Sequence, residues 1–131
     1  MRAGLYEDTT RSFLKKRAKD WGDDLSAFDQ VLLSMGIDGH VASLFRGTEA
    51  LEEKEKWVTI SKPRRVKPLV ERVTITLPVI NGARSVVMLI SGEEKKAIAR
   101  MIMAEPKETA KVYPAALVRP AGREIWMVAD T

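Results

Sequence analysis

Two nearly unbroken apolar runs constrain this chain most. Phe28, Val31, Leu32, Leu33 and Met35 crowd one stretch, and Val86-Val87-Met88-Leu89-Ile90 forms another. A strand with so little polar alternation is expected where both sheet faces are covered, as in a parallel sheet. Strands are therefore predicted over Phe28–Met35 and Ser85–Ile90, with a third over Glu124–Val128.

The segments between read accordingly. From Ala3 to Trp21, Tyr6, Phe13, Leu14, Ala18 and Trp21 recur at helical spacing, which predicts an amphipathic helix. Asp20, Gly22, Asp23 and Asp24 mark a break after it. Val41–Phe45 is read as a short helix, and Gly47–Lys56 as a polar loop or helical turn. Trp57–Ile60 and Val73–Leu77 are read as short strands, and Pro78–Ala83 as a helical turn. Ser91 and Glu94 have the spacing of a capping box. The helix that follows carries a stripe of Ala97, Ile98, Met101 and Ile102 and is stopped by Pro106. The methionines are expected as core filler. Alternating strands and helices make the fold class α/β and layered.

At 131 residues the chain is expected to form one domain. No apolar run approaches the roughly 20 residues that span a bilayer. Met1–Glu7 lacks the apolar stretch of a signal peptide. A cytoplasmic setting with no membrane partner is the default expectation. Cysteine is absent and there is one histidine, so thiolate chemistry is excluded and the usual transition-metal sites lack their donors. No metal and no cofactor are expected. Lys62, Arg64, Arg65, Lys67 and Arg72, against Glu71, account for the whole formal charge of +4. A basic patch of this kind suits a phosphorylated small molecule, or is a solvated loop. Nucleic acid is not expected as a partner, because no aromatic residues interleave with the cations.

The single histidine, His40, follows the first apolar run in Met35-Gly36-Ile37-Asp38-Gly39-His40. In open α/β sheets, ligands gather beyond the carboxyl ends of strands, and Gly36 and Gly39 permit a tight turn there. His40 is the one side chain here whose ordinary pKa lies near neutrality. At the start of a helix over Val41–Phe45 it would be kept neutral, as a general base requires. Asp38, two residues away, is either its orienting partner or a turn former.

The longer string Met-Gly-x-Asp-Gly-His-x-Ala-Ser-Leu-Phe, Met35 to Phe45, resembles the signature of the 6-phosphogluconolactonases. That family shares its fold with glucosamine-6-phosphate deaminases and ribose-5-phosphate isomerases. Arg72–Asn81, Ser91-Gly92-Glu93-Glu94-Lys95, Pro114-Ala115-Ala116 and Ile125–Asp130 resemble further blocks of it. The resemblance runs from about Phe28 to the end. It implies a single truncated domain over 1–131, a partial Rossmann-like layered domain resembling the C-terminal half of that fold. The N-terminal glycine- and serine-rich phosphate loop of the family has no counterpart in these residues.

By the same resemblance, the substrate is a sugar phosphate, 6-phosphogluconolactone, opened to 6-phosphogluconate in the pentose phosphate pathway. His40 would be the base, with Asp38 catalytic beside it. Gly36, Gly39, Ser43, Arg72 and Lys95 would bind substrate, Arg72 and Lys95 gripping phosphate. Lys67 is a weaker candidate, and Arg46 stands where the family often has proline. The deaminase relatives continue into Asn-Glu-Pro where this chain has Leu44-Phe45-Arg46, so deamination ranks below lactone hydrolysis. The alternative is a catalytically impaired relative that binds sugar phosphate or self-associates, since half of a parallel sheet exposes an edge and apolar faces. A homodimer covering that edge is the corresponding expectation.

Overall fold

The computed structural model describes residues 2–21, 28–65 and 67–129. Its elements run α1 (Arg2–Trp21), β1 (Gln30–Ser34), α2 (Glu49–Glu52), β2 (Val58–Ser61), β3 (Arg72–Ile75), α3 (Leu77–Asn81), β4 (Ser85–Ile90), α4 (Glu93–Ala104), α5 (Pro106–Thr109), a 3-10 turn (Pro114–Leu117) and β5 (Arg123–Val128). The three apolar strands form one parallel sheet in the order β1-β4-β5. Leu32 pairs with Val87, which pairs with Ile125; Ser34 pairs with Leu89, which pairs with Met127. The strands β2 and β3 make a separate antiparallel pair. The α/β class with a mostly parallel sheet flanked by helices is thus the observed architecture.

One face of the parallel sheet makes the core. Val31, Leu33, Val86, Met88 and Ile90 point into it and meet Ile98, Ala99 and Ile102 of α4, with Ala115, Ala116 and Val118 closing its end. Each fully buried aliphatic side chain here contributes about 1.5–3 kcal/mol. The other face differs from expectation. Both faces were expected to be covered, yet β1 alternates exposed and buried. Leu32 is 62% and Met127 56% exposed, with Leu89 and Ile125 beside them. An apolar run does not by itself reveal which of its faces has a partner.

Other expectations are corrected in the same way. Val41–Phe45 is not helical: Val41 bridges to Met35 and to Leu44 instead. The capping box does not form. Gly92 is the N-cap of α4 at φ +96°, without a side-chain bond, so a glycine's backbone freedom supplies the entry that Ser91 was expected to cap. In α4 the buried residues are Lys96, Ile98, Ala99 and Ile102, while Met101 is exposed and Ala97 with it. Met35 and Met88 fill the core, but Met101, Met103 and Met127 lie at the surface.

The first helix, α1, is present and packs on the β2–β3 pair. It buries Ala3 and Leu14 but exposes Tyr6 and Phe13. The side chains of Ala18 and Trp21, and the break at Gly22 to Asp24, lie outside the described residues. What ties α1 down is polar. The Glu7 carboxylate accepts the backbone N–H groups of Val58 at 2.9 Å and Trp57 at 3.0 Å. Arg11 pairs with Glu7 at 2.9 Å, and its guanidinium lies 4.2 Å from the centre of the Trp57 ring. Burial alone would raise the Glu7 pKa. The Val58 N–H, the Arg11 side chain and the Trp57 N–H together outweigh it and hold the carboxyl below its ordinary value.

Candidate functional site

The loop leaving β1 is closed by its own backbone. The N–H of Gly36 donates to the His40 carbonyl at 2.9 Å, and that of Gly39 to the Gly36 carbonyl at 3.0 Å. Gly39 sits at φ +80°. A Cβ there would lie 2.6 Å from Cδ1 of Tyr113, so both backbone angle and space demand glycine. The Gly39 carbonyl in turn accepts the Ala115 N–H at 2.8 Å. Next comes Ala42 at φ +50°, a left-handed conformation that costs a non-glycine residue roughly 1–2 kcal/mol. Such strain persists only where the surroundings impose it. Here Val41 and Leu44, both fully buried, anchor the turn on either side, and the Leu44 N–H donates to the Val41 carbonyl at 2.9 Å.

This loop presents His40 with its ring already oriented. Nδ1 of His40 is hydrogen-bonded to Oδ1 of Asp38, and the same oxygen accepts the His40 backbone N–H at 3.2 Å. An ionised carboxylate only accepts, so a neutral His40 ring carries its proton on Nδ1 and keeps the lone pair on Nε2. The ring is held on two further sides. A Cβ on Gly36 would lie 2.3 Å from its Cε1, so glycine is what lets the imidazole approach the backbone. The Phe45 ring, 3% exposed, lies 4.5 Å away centre to centre at a tilt of 42°. The helix start expected at Val41–Phe45 is absent; Asp38 and the packed loop fix the orientation of the ring instead.

A cavity of about 410 Å³ opens beside His40, lined among others by Ser34, Gly36, Ala42 and Lys95. It lies at the carboxyl end of β1, where open α/β sheets hold ligands. Lys95, in the first turn of α4, has no carboxylate partner among the described residues, whereas its neighbour Lys96 is buried and paired with Glu93 at 3.2 Å. An apolar trough of about 540 Å³ adjoins the cavity and shares Ser34 and Lys95 with it.

The remaining expected site residues are elsewhere. Arg72 begins β3 as read, but does not line the cavity. Its guanidinium lies 5.3 Å from the centre of the Phe45 ring and donates to the Pro68 carbonyl at 3.5 Å. Ser43 is also outside the cavity; its N–H donates to the Thr74 hydroxyl at 3.1 Å. Gly39 shapes the loop and does not face the cavity. Lys67 is exposed. Sequence reading gave no role to Phe45, Tyr113, Thr74 or Ser34, since nothing local signals a contact with His40, Gly39 or Ser43. Among the described residues no group of acidic residues and histidine forms a metal site.

Comparison with known proteins fits this geometry. The family model for Glucosamine-6-phosphate isomerases/6-phosphogluconolactonase matches residues 2–127. The 6-phosphogluconolactonase of Bos taurus is 41% identical over 125 residues, covering 93% of this chain and 47% of that protein. The human 6-phosphogluconolactonase is 39% identical over 125 residues, with the same coverage of each chain. The structure of 6-phosphogluconolactonase from Trypanosoma brucei superposes with a TM-score of 0.69 at 36% identity, over 78% of this chain and 40% of that one. A monomeric glucosamine-6-phosphate deaminase shares the fold at a TM-score of 0.64 and 15% identity. The chain spans about half the length of the curated relatives it matches. With the family model matching nearly the whole chain, this chain belongs to the glucosamine-6-phosphate isomerase/6-phosphogluconolactonase family.

Proposed function

We propose that this chain carries the lactone-opening centre of a 6-phosphogluconolactonase, with His40 as the general base. The observation that carries this reading is the Asp38–His40 bond beside a cavity also lined by Lys95. His40 Nε2 takes a proton from water, and the water oxygen bonds to the lactone carbonyl carbon. The tetrahedral intermediate then breaks its bond to the ring oxygen, which leaves with the proton returned by the imidazolium. Asp38 stabilises that imidazolium while it exists. The Lys95 ammonium supplies the cation for the phosphate of 6-phosphogluconolactone. Arg72 acts one layer out, through Phe45.

Deamination of an amino sugar ranks lower on a specific ground. Where the deaminase relatives carry an Asn-Glu-Pro segment, this chain places Leu44 and Phe45, both buried. An aromatic ring beside the imidazole offers no acid or base. The deciding experiment measures 6-phosphogluconolactone hydrolysis above its spontaneous rate by the purified chain and by His40→Gln. Loss in the variant supports the reading; equal rates remove it.

A second reading, self-association, is favoured by the uncovered apolar sheet face at Leu32, Leu89 and Met127. Its occupant would be a second copy of this chain, which brings an equally apolar patch. A concentration-dependent dimer by analytical ultracentrifugation, abolished by Leu32→Asp, is the expected result. A monodisperse monomer across the concentration range would end this reading.

A further inference from the structure

We infer that Phe45, together with the bare Cα of Gly36, is a positioning device that selects the His40 tautomer. This builds on the reading of His40 as the base, but it is a statement about the ring rather than the reaction. The imidazole has two nitrogens, and only the Nδ1–H tautomer leaves Nε2 unprotonated. A bond to Asp38 alone does not enforce it, because an imidazole hinged at Cβ can rotate away from a carboxylate that is itself partly exposed. Rotation has to be blocked by packing. Phe45 blocks one side: its ring is buried and tilted against the imidazole at 4.5 Å, a geometry that aromatic pairs favour. Gly36 forms another wall. Its missing Cβ leaves just enough room for Cε1 and Nδ1, where a methyl group would stand 2.3 and 2.4 Å away.

Phe45 is itself held. Its residue belongs to the turn that Val41 and Leu44 anchor, its carbonyl accepts the Thr48 hydroxyl at 2.7 Å, and the Arg72 guanidinium lies over its ring at 5.3 Å. A guanidinium at that range is attracted to the aromatic face. The basic residue that was expected to grip phosphate therefore braces the wall behind the imidazole. Phe45 does not itself line the cavity and reaches it only through the imidazole it packs against, so its part is positional.

The chain has one histidine, which makes the test direct. Nitrogen-15 spectra of the imidazole, recorded above its titration without substrate, report which nitrogen bears the proton. The wild-type chain is expected to show a single Nδ1–H pattern. Phe45→Leu keeps apolar volume but removes the ring, and is expected to give a mixture of tautomers with at least a severalfold loss of the Nδ1–H population. Phe45→Tyr, which retains a ring, should restore the native pattern. Gly36→Ala approaches from the other wall and should also mix the tautomers, which keeps the test decisive if the leucine variant does not fold. A native pattern in folded Phe45→Leu, or in folded Gly36→Ala, would overturn the inference. Because the spectra need no turnover, failure of lactone hydrolysis counts against the hydrolase reading alone.

Discussion

His40, on the loop that leaves β1, and Lys95, in the first turn of α4, line one cavity although the whole β2–β3 pair and β4 intervene in the chain. The parallel pairing of β1 with β4 brings them together, because it sets the carboxyl ends of both strands side by side. An imidazole and an ammonium are thereby brought to one concavity by the ends of two paired strands.

If His40 is the base, removing it costs what general base catalysis supplies. His40→Gln is expected to lower kcat by roughly 10²–10⁴ with little change in KM. Asp38→Asn keeps the shape but offers an amide where Nδ1–H needs an acceptor. A fall in kcat approaching that of His40→Gln is expected, read in the same lactone assay. Wild-type kcat in Asp38→Asn would reduce Asp38 to a turn former.

Lys95 has a different signature. If its ammonium grips the phosphate, it does so in ground and transition states alike, so Lys95→Ala should act mainly on KM. Loss of one charged hydrogen bond, about 1.5–3 kcal/mol, raises KM tenfold or more. A lactone without phosphate should be hydrolysed equally by both proteins. An equal penalty on both substrates would show that Lys95 does not read phosphate.

Gly39 is expected to tolerate no side chain. Gly39→Ala combines a left-handed backbone with a Cβ 2.6 Å from Tyr113, and about 1–3 kcal/mol of destabilisation follows from the backbone alone. Chemical denaturation measures it. Gly47→Ala shares the positive φ but meets no neighbour within 4 Å, so it isolates the backbone share and should cost less.

Glu7 predicts a pH dependence with a definite sign. Its folded pKa lies below the unfolded value, so the unfolded chain takes up the proton more readily. The stability it lends is complete above the ordinary glutamate range, near about pH 4.3, and is lost as pH falls through the lowered folded value. Stability of Glu7→Gln should therefore decline less steeply than that of the wild-type chain on acidification below that range. Parallel curves would show that the Val58 and Trp57 bonds to Glu7 carry no net stability.

Much of this molecule is legible in the order of its residues, and the reason is locality. The apolar strands β1 and β4, the helix α4 and the glycine loop around His40 each depend on neighbours a few positions away. Val41–Phe45 misleads for the same reason: five residues of helical composition cannot show that Val41 will bridge to Met35 and Leu44. Ser91 and Glu94 have the spacing of a cap, yet Gly92 makes the entry by backbone angle alone.

The amino-acid order by itself determined the strand-loop-histidine unit, its Asp38 neighbour and the family to which they belong. Only the tertiary structure decided that Arg72 lies over Phe45 rather than in the cavity, that Ser43 is tied to Thr74, that Glu7 fastens α1 to β2, and that Leu32, Leu89 and Met127 stay exposed on one sheet face. Those outcomes depend on which distant surfaces meet. Contact between residues far apart in the chain is set by packing and chain topology, which no local pattern encodes.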